Sequence, residues 1–369
     1  MSATTKRQRS ALEPVGRGKA VLITGGAGFI GTNLAHALAA MGRRVRLLDN
    51  LSRAGVEKNL LWLRETHGSR IEVEIGDVRD PAAVQRAVTG AGMVFHFAAQ
   101  VAVTTSLDDP QHDFDVNVRG ALNVLEAARA QAAPPALLMT STNKVYGGME
   151  DVPLRLDGLR YEPCEAALAA RGFSEARQLD FHSPYGCSKG AADQYFLDYA
   201  RSYGLRTAVF RMSCIYGPHQ FGTEDQGWVA HFLLRALDER PITLYGDGMQ
   251  VRDVLYVEDL VRAFLLAEEH IGEIAGQAFN VGGGPRSTVS LLELIDLIEE
   301  LHGQRPQVFF ERWRTGDQRW YVTDWRKLAA ATGWQPRVNV RQGVSNLYRW
   351  LLESGEAAQP EVAVGRHAS

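Results

Sequence analysis

The stretch ITGGAGFIG, from Ile23 to Gly31, constrains this chain more than any other. It follows an apolar strand pattern and opens a helical one, spacing Gly25, Gly28 and Gly31 as GxxGxxG. The first two glycines let the backbone turn tightly and approach a pyrophosphate. The third lets helix pack on strand, with the phosphates at the helix N-terminus. Asp49 closes the next apolar run about 20 residues on, where a carboxylate takes ribose hydroxyls and repels a 2'-phosphate. Arg43, Arg44, Arg46 and Arg53 stand nearby and could accommodate that phosphate, but the balance favours NAD over NADP. Asp77 closes the next strand pattern, within reach of an adenine amine, and Ala98 and Ala99 form a small-residue strand end under the dinucleotide. A glycine-rich turn with acidic caps is the bland alternative.

The runs AVLITGG, RVRLLDN, IEVEIGD, MVFHFAA and ALLMTST read as short buried strands separated by amphipathic segments. This rhythm predicts an α/β fold, a doubly wound parallel sheet of the Rossmann kind over 19–217. A polar insertion is expected at 147–178, and TAVFRMSCIYG reads as one more strand. From 218 to 352 the spacing turns irregular, with ITLYG, VLYV and AFNVGG as short strands. That predicts a smaller α/β substrate domain. Residues 1–18 read as a disordered leader and 353–369 as a flexible tail. A net charge of -3 suggests no nucleic-acid partner, and no apolar run approaches the length of a membrane span. Cys164, Cys187 and Cys214 are widely spaced and without CxxC, which points to a reducing cytoplasm rather than to disulfides or zinc. The histidines, among them His96, His112 and His182, show no metal-ligand spacing.

TSTNKVYG ends the fifth strand pattern and puts Thr142 at the carboxyl edge of the sheet, where ligands bind. In LDFHSPYGCSKGAADQY, Ser183 is the expected N-cap and Pro184 the first helical residue. Tyr185 and Lys189 then share one helical face. A bare YxxxK is common on solvated helices. Beside the glycine loop, Asp49 and Thr142 it becomes a hydride-transfer set. An ammonium and an oxidised nicotinamide favour the phenolate, which removes a proton from a sugar hydroxyl while hydride leaves the same carbon. Thr142 would hydrogen-bond that hydroxyl, and Lys189 would also hold the nicotinamide ribose.

With these motifs the chain resembles, over about 19–350, the extended short-chain dehydrogenases/reductases that epimerise or dehydrate nucleotide sugars. The resemblance implies bound NAD, a nucleotide-sugar substrate and a homodimer or homotetramer. It implies cofactor contacts from Gly25, Gly28, Phe29, Ile30, Gly31, Asp49, Asn50, Ser52, Arg53, Asp77, Val78, Ala98, Ala99, Gln100 and Asn117, beside Tyr185 and Lys189. On the substrate side it implies Thr142, Asn143 and Asp317, with Arg252 of VRDVLYVEDL and Arg314 of RTGD gripping the diphosphate. Gln220, Gln226, Gly227 and Trp228 are nucleotide-side candidates, since amides read base edges and an indole walls a pocket. Packing in the core is an equal reading for Trp228.

Local departures choose the branch. Sugar 4,6-dehydratases of this family carry Asp-Glu after the catalytic Thr, and uronate decarboxylases a Glu at the second place. Here Asn143 and Lys144 follow Thr142. The combination of STNKVYG, the insertion, LDFHSPYGCSKGAADQY and YGPHQFGTEDQGWVAHF resembles 2-epimerases of CDP-hexoses. That implies redox-neutral inversion at C2 through a 2-keto sugar. Pro218 and His219 depart from the Gly-Arg pattern there, so CDP-glucose or GDP-hexoses stay in view as substrates, as does 4-epimerisation. His219 reads as structural. A non-catalytic NAD-binding sensor is the alternative of another class, against which the intact Thr142, Tyr185 and Lys189 speak.

Overall fold

The structure is a computed structural model and describes residues 18–314 and 316–355. All of the expected leader but Gly18, and most of the expected tail, lie outside them. Glu353 and Ser354, assigned to the tail, instead end the helix Val340–Ser354.

In chain order the strands are β1 (Ala20–Thr24), β2 (Val45–Asp49), β3 (Ile71–Ile75), β4 (Ala91–His96) and β5 (Ala136–Thr142), then the hairpin β6 (Leu154–Asp157) and β7 (Arg160–Pro163). There follow β8 (Thr207–Met212), β9 (Cys214–Tyr216), β10 (Ile242–Tyr245), β11 (Val251–Tyr256), β12 (Gln277–Val281), β13 (Thr288–Ser290), β14 (Val308–Glu311) and β15 (Trp320–Tyr321). A seven-stranded parallel sheet runs β12-β8-β5-β4-β1-β2-β3. Its central strands β1, β4 and β5 are buried on both faces, which is why they read as near-continuous apolar runs, while the edge strand β3 is half-exposed. Val21, Ile23, Phe95 and Phe210 enter one core with Leu34, Leu38 and Phe264, while Leu22, Val94, Leu137 and Met139 enter the opposite one with Val124, Leu125 and Phe196. Strand order reverses between β1 and β4, so the carboxyl ends of these strands open a crevice.

A smaller sheet places β11 antiparallel to β13 and parallel to β9 and β15, and β10 pairs β14. Two sequence expectations fail at the junction. TAVFRMSCIYG is not one strand: Ser213 breaks it, so β8 stays in the large sheet and β9 joins the small one. AFNVGG was assigned to the second domain, yet β12 is the edge strand of the large sheet. The helix Val257–Glu269 likewise sends Leu260, Ala263 and Phe264 into the large-sheet core. Both segments carry the same apolar pattern whichever sheet they join, so periodicity cannot assign them. The insertion folds as the β6/β7 hairpin and the helix Ala166–Arg171, and Phe173 bridges to Thr323. Among the described residues no helix is long and apolar enough to cross a membrane.

Candidate active site

A cavity of about 1130 Å³ opens along the carboxyl edge of the large sheet and continues beneath the small one. Its volume exceeds the ~1,000 Å³ upper range for one drug-sized ligand, and two ligands end to end would use it. Gly25, Gly28 and Gly31 shape its dinucleotide end. Gly25 has φ of +67° and lies so near the β4 strand end that a Cβ would sit 2.8 Å from the Ala98 nitrogen. A Cβ on Gly31 would sit 2.4 Å from the Gly25 carbonyl oxygen, so the third glycine packs the helix Phe29–Ala40 onto its own loop. The first N–H groups of that helix have no intrahelical partner, which suits a pyrophosphate.

The Asp49 carboxylate accepts from the backbone N–H groups of Ala27 and Leu51, both at 2.9 Å, and lines the cavity. Arg79 grips Asp77 through side-chain and backbone hydrogen bonds and, with Asn50, holds that carboxyl well below the usual range. The arginine question resolves by pairing. Arg43 is bonded to Glu268, and Arg44 and Arg46 to Glu72, whereas Arg53 lines the cavity and donates to the Gln226 carboxamide. Phe29, Ile30, Ser52, Val78, Ala98, Ala99 and Gln100 also line it. Asn117 does not. It lies buried on a π-helical turn behind the wall, where its carboxamide bonds both the N–H and C=O of Gln100 and the Ser188 hydroxyl. Such π turns are frequent at functional sites.

Thr142, Tyr185 and Lys189 all line the cavity and are buried, and Tyr185 is hydrogen-bonded with Thr142. Helix Ser183–Tyr203 brings the last two there; Ser183 has φ of +65°, and its hydroxyl accepts from the Gly186 N–H, the bond expected of a capping serine. Burial pushes the Tyr185 phenol up to about 12, a rise that Asp113 reinforces and the hydrogen bond with Thr142 opposes. Burial also brings the Lys189 ammonium down to about 8, against the opposing charges of Asp193 and Asp113. Lys189 Nζ donates to the Thr140 carbonyl at 2.7 Å. One turn on, Asp193 is locked by both arms of the buried Arg211.

The predicted substrate residues Asn143, Gln220, Gln226, Gly227, Trp228, Arg252, Arg314 and Asp317 all line the cavity. Gly227 has φ of +76° and turns the chain into the helix Trp228–Leu237, whose first residue both faces the cavity and packs edge-on against Phe232. The Gln220 amide nitrogen bonds the Ile215 carbonyl, while its buried oxygen has no partner among the described residues. Arg252 donates to Asp317 at 2.6 Å. Arg314 instead bonds the Glu224 carbonyl, pairs with Asp225 at 3.2 Å and lies 3.8 Å over the Tyr245 ring. His219 lies between Trp62 and Trp350, its ring tilted against both, and stays outside the cavity lining, as a structural histidine does.

Several lining residues escaped the sequence reading: Lys144, Ser141, Thr104, Tyr245, Gln250 and Trp313. For Lys144 a signal existed in its position two residues beyond Thr142. Tyr245 and Gln250 flank the Gly246-Asp247-Gly248 turn, which marks a strand end at the crevice. The buried oxygens of Ser141, Gln220 and Gln250 and the Thr104 hydroxyl have no hydrogen-bond partner among the described residues while lining the same cavity, as groups awaiting a polar ligand do.

A family model described as the NAD dependent epimerase/dehydratase family matches residues 21–282. The CDP-paratose 2-epimerase of Salmonella typhi is 44% identical over 337 residues, covering 89% of this chain and 98% of that protein. A putative UDP-glucose 4-epimerase of Methanocaldococcus jannaschii is 30% identical, covering 90% and 98%. Among solved structures, the Thermus thermophilus UDP-glucose 4-epimerase in complex with NAD superposes with a TM-score of 0.75 at 33% identity, covering 90% and 99%.

Proposed function

The chain belongs to the NAD-dependent epimerase/dehydratase family, an enzyme family whose cofactor is NAD, and we propose that its member here is a nucleotide-sugar 2-epimerase of the CDP-paratose/CDP-tyvelose type. The observation that carries this reading is the 44% identity across nearly the whole of a CDP-paratose 2-epimerase, against 30% and 33% for the 4-epimerases compared. Asn143 and Lys144 agree with it, because neither supplies a carboxyl acid or base for eliminating water.

The residues at the cavity wall fit NAD: an approachable glycine loop at a helix N-terminus and Asp49 at the ribose position, with Arg43 and Arg46 tied to carboxylates and Arg53 the one of the four neighbouring arginines that lines the cavity. When bound, oxidised NAD supplies a hydride acceptor and a positive charge beside Tyr185. Tyr185 then takes the proton of the C2 hydroxyl, with Thr142 hydrogen-bonded to the same oxygen. Lys189 supplies the charge that offsets the burial of the phenolate. Carbon 2 becomes planar in a 2-keto sugar, and presenting its other face before reduction inverts it. The chemistry therefore asks for a firmly held nucleotide and a loosely held sugar. Arg252, Asp317, Trp228 and the amides of Gln220 and Gln226 are the anchors on the nucleotide side.

A CDP-hexose is the favoured substrate. A cytoplasmic homodimer or homotetramer serving surface-polysaccharide synthesis is the accompanying reading. NMR of reactions with CDP-paratose, CDP-glucose and UDP- and GDP-hexoses tests it: the expected result is inversion at C2 without accumulating NADH. Inversion at C4 would make the enzyme a 4-epimerase, and NAD binding without turnover of any substrate would leave a sensor.

A further inference from the structure

The sequence pointed to Arg252 and Arg314 as the two cations of the diphosphate site, and the geometry separates them. Arg314 is engaged by the loop Glu224–Gln226 through the Glu224 carbonyl at 3.1 Å, the Asp225 carboxylate at 3.2 Å and the Glu224 carboxylate at 3.7 Å, with the Tyr245 ring beneath it. Arg252 is buried and shares Asp317 with a different cation, Lys144, whose ammonium lies 3.7 Å from the same carboxylate oxygen. Lys144 Nζ donates to the Gly316 carbonyl at 3.0 Å, and its backbone N–H donates to the Thr142 hydroxyl at 3.2 Å. Lys144 is therefore tied to the catalytic threonine at one end and to the Arg252 cluster at the other.

Two cations on one carboxylate leave a net positive charge on the cavity wall. An ammonium has three donors; the Gly316 carbonyl takes one, and Asp317 at 3.7 Å is an ion-pair contact rather than a hydrogen bond. Burial pulls the Lys144 ammonium down from its ordinary value, so the site gains from an arriving anion. We propose that Lys144, paired with Arg252 across Asp317, is a further cation of the diphosphate site and holds the phosphate next to the sugar. This rests on the cavity being a nucleotide-sugar site. It gives the lysine that stands where dehydratases carry a glutamate a binding task in place of an acid/base one.

Calorimetric titration of the NAD-loaded protein with CDP, UDP, GDP and CMP tests it. Lys144→Met should weaken all three diphosphates by about tenfold to a hundredfold, the worth of one charge-assisted hydrogen bond, and leave CMP nearly unchanged. Lys144→Arg should restore most of the loss. Retained NAD and an unaltered circular dichroism spectrum establish that the variants fold. If Lys144→Met binds CDP as wild type does, or weakens CMP as much as it weakens CDP, the assignment is overturned. Wild-type protein that binds none of the diphosphates would overturn the nucleotide-sugar reading along with it.

Discussion

Tyr185 and Lys189 occupy one helical turn, and burial drives both toward their neutral forms, the phenol up to about 12 and the ammonium down to about 8. The phenol alone is no base at neutral pH, but an ammonium at about 8 is still mostly charged there and can assist it. Tyr185→Phe is expected to lower kcat by about 10²–10⁴ with NAD content unchanged, measured by turnover and by the cofactor released on denaturation. Lys189 also bears on stability. Its folded value lies below its ordinary 10.5, so from about 8 to 10.5 the unfolded chain binds more protons and stability rises with pH. The Tm of wild type should therefore climb relative to Lys189→Met between pH 8 and 10; a pH-independent difference refutes the assignment. Thr142, Tyr185 and Lys189 were legible in the sequence because their geometry is local, a strand end and an i, i+4 pair. Lys144 was legible only as a missing glutamate. Its direction depends on Gly316 and Asp317, about 170 residues away along the chain, which no local spacing encodes.

Among the elements, the glycine loop was the most legible, since its glycines answer to backbone atoms rather than to adjustable side chains. Gly31→Ala would press a methyl group against the Gly25 carbonyl and the Gly26 backbone, neither of which can yield. A loss of about 1–3 kcal/mol and of bound NAD is expected, read by thermal melting and by cofactor content. A Gly31→Ala protein that keeps its cofactor and its Tm would show that the loop is laxer than its packing implies. TAVFRMSCIYG misled for the converse reason. Its apolar content suits both sheets, and the break at Ser213 comes from partners far off in sequence, the Val281 carbonyl for its N–H and Asp253 for its hydroxyl.

At the scale of the molecule, the buried Asp253 joins the two sheets. It accepts from the Ser213 hydroxyl at 2.5 Å and from the Gly284 N–H at 3.0 Å, residues that leave β8 and β12 respectively, while itself sitting on β11. Asp253→Ala strands both donors in the interior and should cost about 3 kcal/mol, with substrate affinity falling further than NAD affinity, checked by denaturant melts and by the two titrations. After β8 the chain leaves the large sheet at Ser213, ahead of the expected boundary at residue 217, and it later returns. Residues 257–281 rejoin the large-sheet core, Leu294–Ile298 enter the small one, Leu328 and Trp334 go back, and Val344–Leu351 cross again. This weaving has an evolutionary consequence. A chain stitched in this way cannot trade its substrate-binding half with a relative by one recombination event, because any single joint would bring home a strand that belongs to the other half. New specificities in such a lineage are expected to arise by point substitution at places like Lys144, with the interleaved scaffold inherited whole.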